Sequence, residues 1–434
     1  MKKIVFALIC SLVALTSCMP EGEETELSSK VALLSFGIKN DLKTYHTVTT
    51  GSGKDSTYTT TMKGSVVKFT IDHENGLVYN RDSIAYGTKV SAVLVDVTAD
   101  GYVCYLKENG EEGAKEDSID FTRPVTFKVM SYDNQFVRNY QVSVNVRQID
   151  PTLTQWDRVN TDFPTVFGTE AKAFVKGDLL YVIGKSDDEK CYATSFDGEA
   201  WSEPILCEGL PAGADCVSAL LCKDRFLMTA GGELFVSDDA VTWKTMGVAM
   251  QGLLAVETDS VVWGVMNDEL VSSVDLANWK SDGEYAGGVF GSCIASFSDS
   301  LNTNNSIKRT TFVTLPVATD EDYAHVWSKL SSETKWQQLS PTNSQEYGCP
   351  LLENLSVIRY AGNLYAIGAK GLCYESVDNG IAWKVNKEAF RLPMEFKNYD
   401  EAFFTVVEGE YVWIMWSASG EVWRGRWNGL SEYK

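Results

Sequence analysis

Side chains able to attack, coordinate or exchange protons are sparse in this chain of 434 residues. It has three histidines, His46, His73 and His325, so a His-rich metal site is nearly excluded. A Ser-His-Asp set in the C-terminal part would have to use His325. That residue lies in Tyr323-Ala-His-Val-Trp327, whose alternation reads as a strand, and a packed or surface strand position accounts for it. None of the ten cysteines stands in a Cys-x-x-Cys pair, so zinc and thioredoxin chemistry lack their usual spacing. Most lie in apolar runs such as Leu220-Leu221-Cys222 and Gly371-Leu372-Cys373 and read as small core residues with free thiols. No Gly-rich phosphate loop and no EF-hand spacing occurs, and neither a metal nor a cofactor is expected.

Carboxylates, by contrast, are abundant. The chain has 59 acidic and 38 basic side chains, a net charge of −21, which argues against nucleic acid as a partner. Residues 28–150 are near balance, 14 basic against 15 acidic, whereas residues 151–434 carry 22 against 40. Two of those carboxylates in one cleft could hydrolyse a glycoside, or oxygen ligands could hold calcium. A solvated acidic surface explains the same excess.

One polar pattern recurs. Ser195-Phe-Asp197-Gly-Glu-Ala-Trp201 is followed by Ser237-Asp-Asp239-Ala-Val-Thr-Trp243, Ser273-Val-Asp275-Leu-Ala-Asn-Trp279 and Ser376-Val-Asp378-Asn-Gly380-Ile-Ala-Trp383. A degenerate copy ends at Trp336. A Ser hydroxyl and an Asp carboxylate at this spacing can bond the backbone of their own turn, which makes these aspartates turn residues rather than acids of catalysis. The pattern resembles the Asp-box of sialidase-type propellers, and that resemblance implies a structural turn on the rim with the Trp packed between blades. It does not extend to sialidase activity. Phe390-Arg391-Leu392-Pro393 looks like that family's arginine motif but follows the last box, and the seven arginines after residue 150 are scattered.

The elements that hold these turns repeat as well. Val175-Lys-Gly177 then Leu179 to Gly184 matches Tyr360-Ala-Gly362 then Leu364 to Gly368, and residues 221–228 and 256–263 form the same hairpin. Strand, tight turn, strand, loop, strand, Asp-box and outer strand make one propeller blade. Trp201, Trp243, Trp279, Trp336 and Trp383 mark five blades at intervals of 42, 36, 57 and 47. A sixth unit spans residues 403–426 and lacks its outer strand. Trp156-Asp-Arg-Val159 resembles the strand after each box, so the segment near Trp156 is expected to close the ring and hide the sheet edges. Six blades are expected, with seven the alternative if the long interval around residues 302–308 conceals a short one.

Residues 30–149 read as short β-branched strands separated by Asn75-Gly76, Asp100-Gly101 and Asn109-Gly110 turns. Val66 to Ile71, Val90 to Val97 and Val125 to Val129 are expected strands. The pair 124–130 and 139–146 resembles the closing hairpin of cadherin-like or immunoglobulin-like sandwiches, which implies about seven strands. Asp150-Pro151 marks the boundary to the propeller, residues 150–434.

The first 17 residues read as an export signal: Lys2 and Lys3, then an apolar run from Ile4 to Leu15, shorter than the roughly 20 residues of a membrane span. Leu15-Thr-Ser-Cys18 resembles a bacterial lipobox, which implies lipidation of Cys18 and anchorage in a membrane. Met19 stands where an inner-membrane retention signal has Asp. Residues 18–29 form an acidic tether, and Glu21 to Glu26 resembles the surface-export signal of lipoproteins from Bacteroidota-type bacteria. The whole arrangement resembles a family of Bacteroidota lipoproteins known only as domains of unknown function. The resulting expectation is an outer-membrane, cell-surface lipoprotein that presents a propeller to a glycan or an envelope protein without catalysis. The alternative is a glycoside-active enzyme with paired carboxylates in the axial pocket.

Overall fold

The computed structural model describes residues 30–433 apart from 50–54, 161, 258–259, 283–289, 302, 319, 341–343 and 387–389. The signal segment, Cys18 and the acidic tether lie outside the described residues. The chain is all-β and divides into two compact units between Asp150 and Pro151.

In the first unit a six-stranded sheet runs in the order Thr70–Asp72, Leu77–Tyr79, Val137–Ser143, Val125–Met130, Tyr102–Leu106 and Glu112–Ala114. Ala32–Ile38 pairs with Val95–Asp100 in a second sheet. The two sheets share one core, in which Phe36 meets Phe127 and Phe69 edge to face and Val78, Tyr140 and Val142 are fully buried. Alternation builds it: in Val125–Met130, Phe127 and Val129 point inward while Thr126 and Lys128 point away.

Among the described residues ten strands are present where the sequence suggested about seven. The additional pair, Asp41–Thr49 with Asp55–Lys63, is rich in Thr and Lys and shows no apolar alternation to read. The strand expected from Val66 to Ile71 is instead a turn at Gly64–Val66 followed by the strand Thr70–Asp72. Gly64 sets that turn, because a Cβ there would stand 2.3 Å from the Asn40 carbonyl oxygen. The strand expected over Val90 to Val97 begins only at Val95.

The second unit is a ring of six sheets, each a four-stranded antiparallel blade, the fourth with one further short strand. Blade 1 spans residues 171–206, blade 2 220–249, blade 3 252–281, blade 4 293–339 and blade 5 356–385. Blade 6 takes three strands from residues 403–427 and its outermost from Thr154–Asn160, which pairs with Val422–Trp427 and sets Trp156 opposite Gly425. The ring is thus closed by non-local pairing, and the described residues of the long interval form no seventh blade. That interval is spent on an extended hairpin, Cys293–Leu301 with Asn304–Thr314. Six apolar clusters, one between each pair of neighbouring blades, hold the ring together. Trp243 fills the junction of blades 1 and 2, and Trp383 that of blades 4 and 5.

Candidate binding site in the propeller axis

The recurring polar turns build from one local rule. In the second copy the Ser237 hydroxyl donates to Asp239 Oδ1 at 2.9 Å, and that oxygen accepts the N–H groups of Val241 and Thr242 at 2.9 and 2.7 Å. The third copy repeats this with Ser273, Asp275, Ala277 and Asn278. In the fourth, Ser376 donates to Asp378, which accepts the Ala382 N–H. Trp243, Trp279 and Trp383 each donate Nε1–H to the carbonyl three residues back, at 2.9, 2.9 and 3.1 Å. The first copy is incomplete: Asp197 accepts two N–H groups, but Trp201 Nε1 is buried without a partner. The residue after each Asp is left-handed, at Gly198, Ala240, Leu276 and Asn379. Ala240 and Leu276 direct their side chains into the blade junctions. One oxygen of each of these carboxylates is thus occupied by the turn itself, and the turns lie outside the wall of the axial cavity.

The remaining sequence candidates are also accounted for locally. His325 Nε2 contacts the Glu321 carboxylate four residues back on its approach to the strand. Phe390 is buried between blades 5 and 6, and Arg391 offers its carbonyl to Trp156 Nε1, so the tetrapeptide at 390–393 packs the junction of blades 5 and 6. The eight described cysteines are free thiols, with Cys191 and Cys216 Sγ atoms 3.6 Å apart. Among the described residues no cluster of three or more His, Cys, Asp or Glu could hold a metal ion.

A cavity of about 760 Å³ runs along the axis, walled by the first strands of the blades. Those strands are paired on one side only within their own sheets, so their other edges present backbone N–H and C=O groups. Small and aliphatic side chains such as Ala173, Val175 and Val357 line most of the wall. Hydroxyls interrupt it. Ser356 and Thr405 bridge blades 5 and 6 at 2.6 Å, and Ser296 accepts the Val256 N–H at 3.2 Å.

Among the described residues three ionisable side chains belong to the wall: Glu170, Lys172 and Arg359. Glu170 is 2.6 Å from Lys185 Nζ. Arg359 is held 2.9 Å from Asp299 and touches Asn379. Lys172 differs, for its Nζ is buried and has no hydrogen-bond partner. Burial pushes its ammonium below the usual lysine range, with Cys293 and Asp215 opposing. Cys293 is in the first strand of blade 4, across the ring, and burial pushes its thiol up to about 11. A glycosidase needs two suitably placed carboxylates, and this wall carries one, already ion-paired. Asp215 and Asp268 line a second cavity, but at about 170 Å³ it is below the size of ordinary ligand sites. Asp215 accepts the Ser218 N–H there, and Asp268 the Gln251 amide.

Lys172 was not legible as a site residue. Ala171-Lys-Ala-Phe-Val-Lys176 reads as a strand with lysines on the wet face, and only closure of the ring buries the first of them.

Fold and cavity together define a two-unit β protein whose larger unit is a six-bladed propeller with an axial pocket. The chain belongs to the family of the DUF6242 beta propeller domain, whose model matches residues 150–433, and the DUF6242 N-terminal domain matches residues 36–144. No match is found among curated proteins. Similar solved structures include a DUF4623 family protein from Bacteroides eggerthii, at 11% identity and TM-score 0.36 over 92% of this chain and 98% of that one. A GH93 α-L-arabinofuranosidase of Fusarium graminearum has 15% identity and TM-score 0.34, covering 65% and 99%. TolB from Acinetobacter baumannii has 10% identity and TM-score 0.30, covering 70% and 76%.

Proposed function

We propose that this protein is a lipid-anchored outer-membrane lipoprotein, displayed at the cell surface, whose propeller binds a ligand in its axial cavity. The observation that carries the reading is that cavity: about 760 Å³, with open strand edges, hydroxyls and an unpartnered amine in one wall. Its size falls in the range of small-ligand sites, and its polar groups suit a hydroxyl-rich ligand such as a glycan. An envelope protein inserting a loop is the other partner this reading allows. Anchorage rests on the lipobox-like Leu15-Thr-Ser-Cys18 and the acidic residues after it. The single carboxylate of the wall favours recognition over hydrolysis.

The test is binding of the purified chain to a broad polysaccharide and glycan array, with reducing-sugar release assayed on every hit. Binding without release is expected, and release would make the protein an enzyme. Anchorage is checked separately by feeding cells an alkyne fatty acid. Label on the chain that disappears in Cys18→Ser is expected, and an unlabelled wild-type chain would refute anchorage through Cys18.

A further inference from the structure

We infer that Lys172 is the anchoring group of the axial cavity and that the ligand it takes carries a carboxylate, as an acidic sugar does. The inference rests on the axial cavity being the binding site. A lysine ammonium has three donors and accepts nothing, so a buried one without an acceptor is a group awaiting its partner. The other charges of the wall are spent, Glu170 on Lys185 and Arg359 on Asp299. In a unit with 22 basic and 40 acidic residues, the unspent charge of the cavity is therefore positive.

One ammonium matches one carboxylate. A phosphate dianion is usually gripped by guanidinium forks or several cations together, and this wall brings neither to Lys172. The Ser356–Thr405 pair, Ser296 and the open strand edges would serve the hydroxyls of the same ligand. The ionisable groups that act electrostatically on the amine are Cys293 from blade 4 and Asp215 from the segment before blade 2. Burial disfavours the charged amine, and an arriving carboxylate favours it.

The experiment is calorimetric titration of the purified full chain with digalacturonate and with its neutral counterpart galactobiose. Digalacturonate is expected to bind at least tenfold more tightly. In K172M the preference disappears. Lys190→Met, which removes an exposed lysine of the same blade, keeps it. K172R, which keeps the charge, guards against a folding defect and retains a preference for the acid. T405F narrows the cavity from blade 6 without changing charge and weakens both sugars.

Equal affinity for the two sugars, both weakened in T405F, overturns the role of Lys172 and leaves the cavity standing. Digalacturonate binding indifferent to both K172M and T405F overturns the cavity as well. Binding of neither sugar by the wild-type chain overturns the carboxylate assignment, and the glycan array then judges the cavity on its own.

Discussion

Two ionisable residues show how differently the same ring treats charge. Asp239 is pushed up by partial burial, yet the Thr242 and Val241 N–H groups and the Ser237 hydroxyl hold its carboxyl down at about 2. The Asn278 amide and N–H lower Asp275 in the same way. A carboxyl depressed in the folded state contributes stability above its unfolded value near 4, and that contribution is lost as pH falls through the folded value. Asp239→Ala should therefore lower Tm at pH 7, and its melting curve should fall less steeply than wild type between pH 4 and pH 2. Lys172 is the opposite case. Its folded pKa lies below the unfolded value of about 10.4, so over that window the unfolded chain binds more protons and stability rises with pH. K172M removes a buried amine without a partner and should raise Tm by about 2–6 °C at pH 6, from a gain of about 1–2 kcal/mol. The advantage should shrink as pH approaches 10.4, and thermal melts from pH 6 to 10 check it. The two residues also differ in how they could be read. Ser237 to Trp243 closes its own hydrogen bonds within seven residues, so its role was visible in the sequence. The groups that act on Lys172, Asp215 and Cys293, come from outside its own blade, which no local pattern encodes.

At the scale of the element, the four Ser-x-Asp turns divide into complete and incomplete versions, and their tryptophans should differ accordingly. Trp383 is 1% exposed, packs between blades 4 and 5 and donates to the Gly380 carbonyl. Trp383→Ala should cost about 3–5 kcal/mol, the usual range for a large aromatic in a core. Trp383→Phe also leaves that carbonyl unpaired and should cost about 1 kcal/mol or more. Trp201 Nε1 has no acceptor, so Trp201→Phe sheds an unsatisfied donor and should be nearly neutral. Denaturant unfolding of the three variants separates these expectations, and equal costs for the two Phe substitutions would count against the hydrogen-bond argument. The same comparison explains what was hard to read in the first unit. Its Asp41–Thr49 and Asp55–Lys63 pair has no apolar alternation to mark an inward face, whereas Phe127-Lys-Val129 declares its inward face directly.

For the molecule as a whole, the consequential contact is the one that joins the two ends of the ring. Six blade junctions each bury their own cluster, but five of them link blades adjacent in sequence; the sixth packs blade 6 against blade 1, and there the strand Thr154–Asn160 adds the backbone pairing that ties the last blade to the start of the unit. Trp156 lies flat against Gly425, where a Cβ would stand 2.7 Å from the indole ring, and donates to the Arg391 carbonyl. Gly425→Val forces the indole away, breaks that pairing and bares the edge of Val422–Trp427. An open ring loses the mutual support of all six junctions, and an uncovered strand edge invites pairing between molecules. Gly425→Val should therefore lower Tm by several degrees in one cooperative transition and produce concentration-dependent association by light scattering. Trp156→Phe, which keeps an aromatic ring over Gly425, should be much milder. A Gly425→Val chain that stays monomeric with wild-type Tm would mean that the junctions hold the ring without its clasp. The axial cavity needs all six inner strands in place, so the same variant should also lose ligand binding before it unfolds.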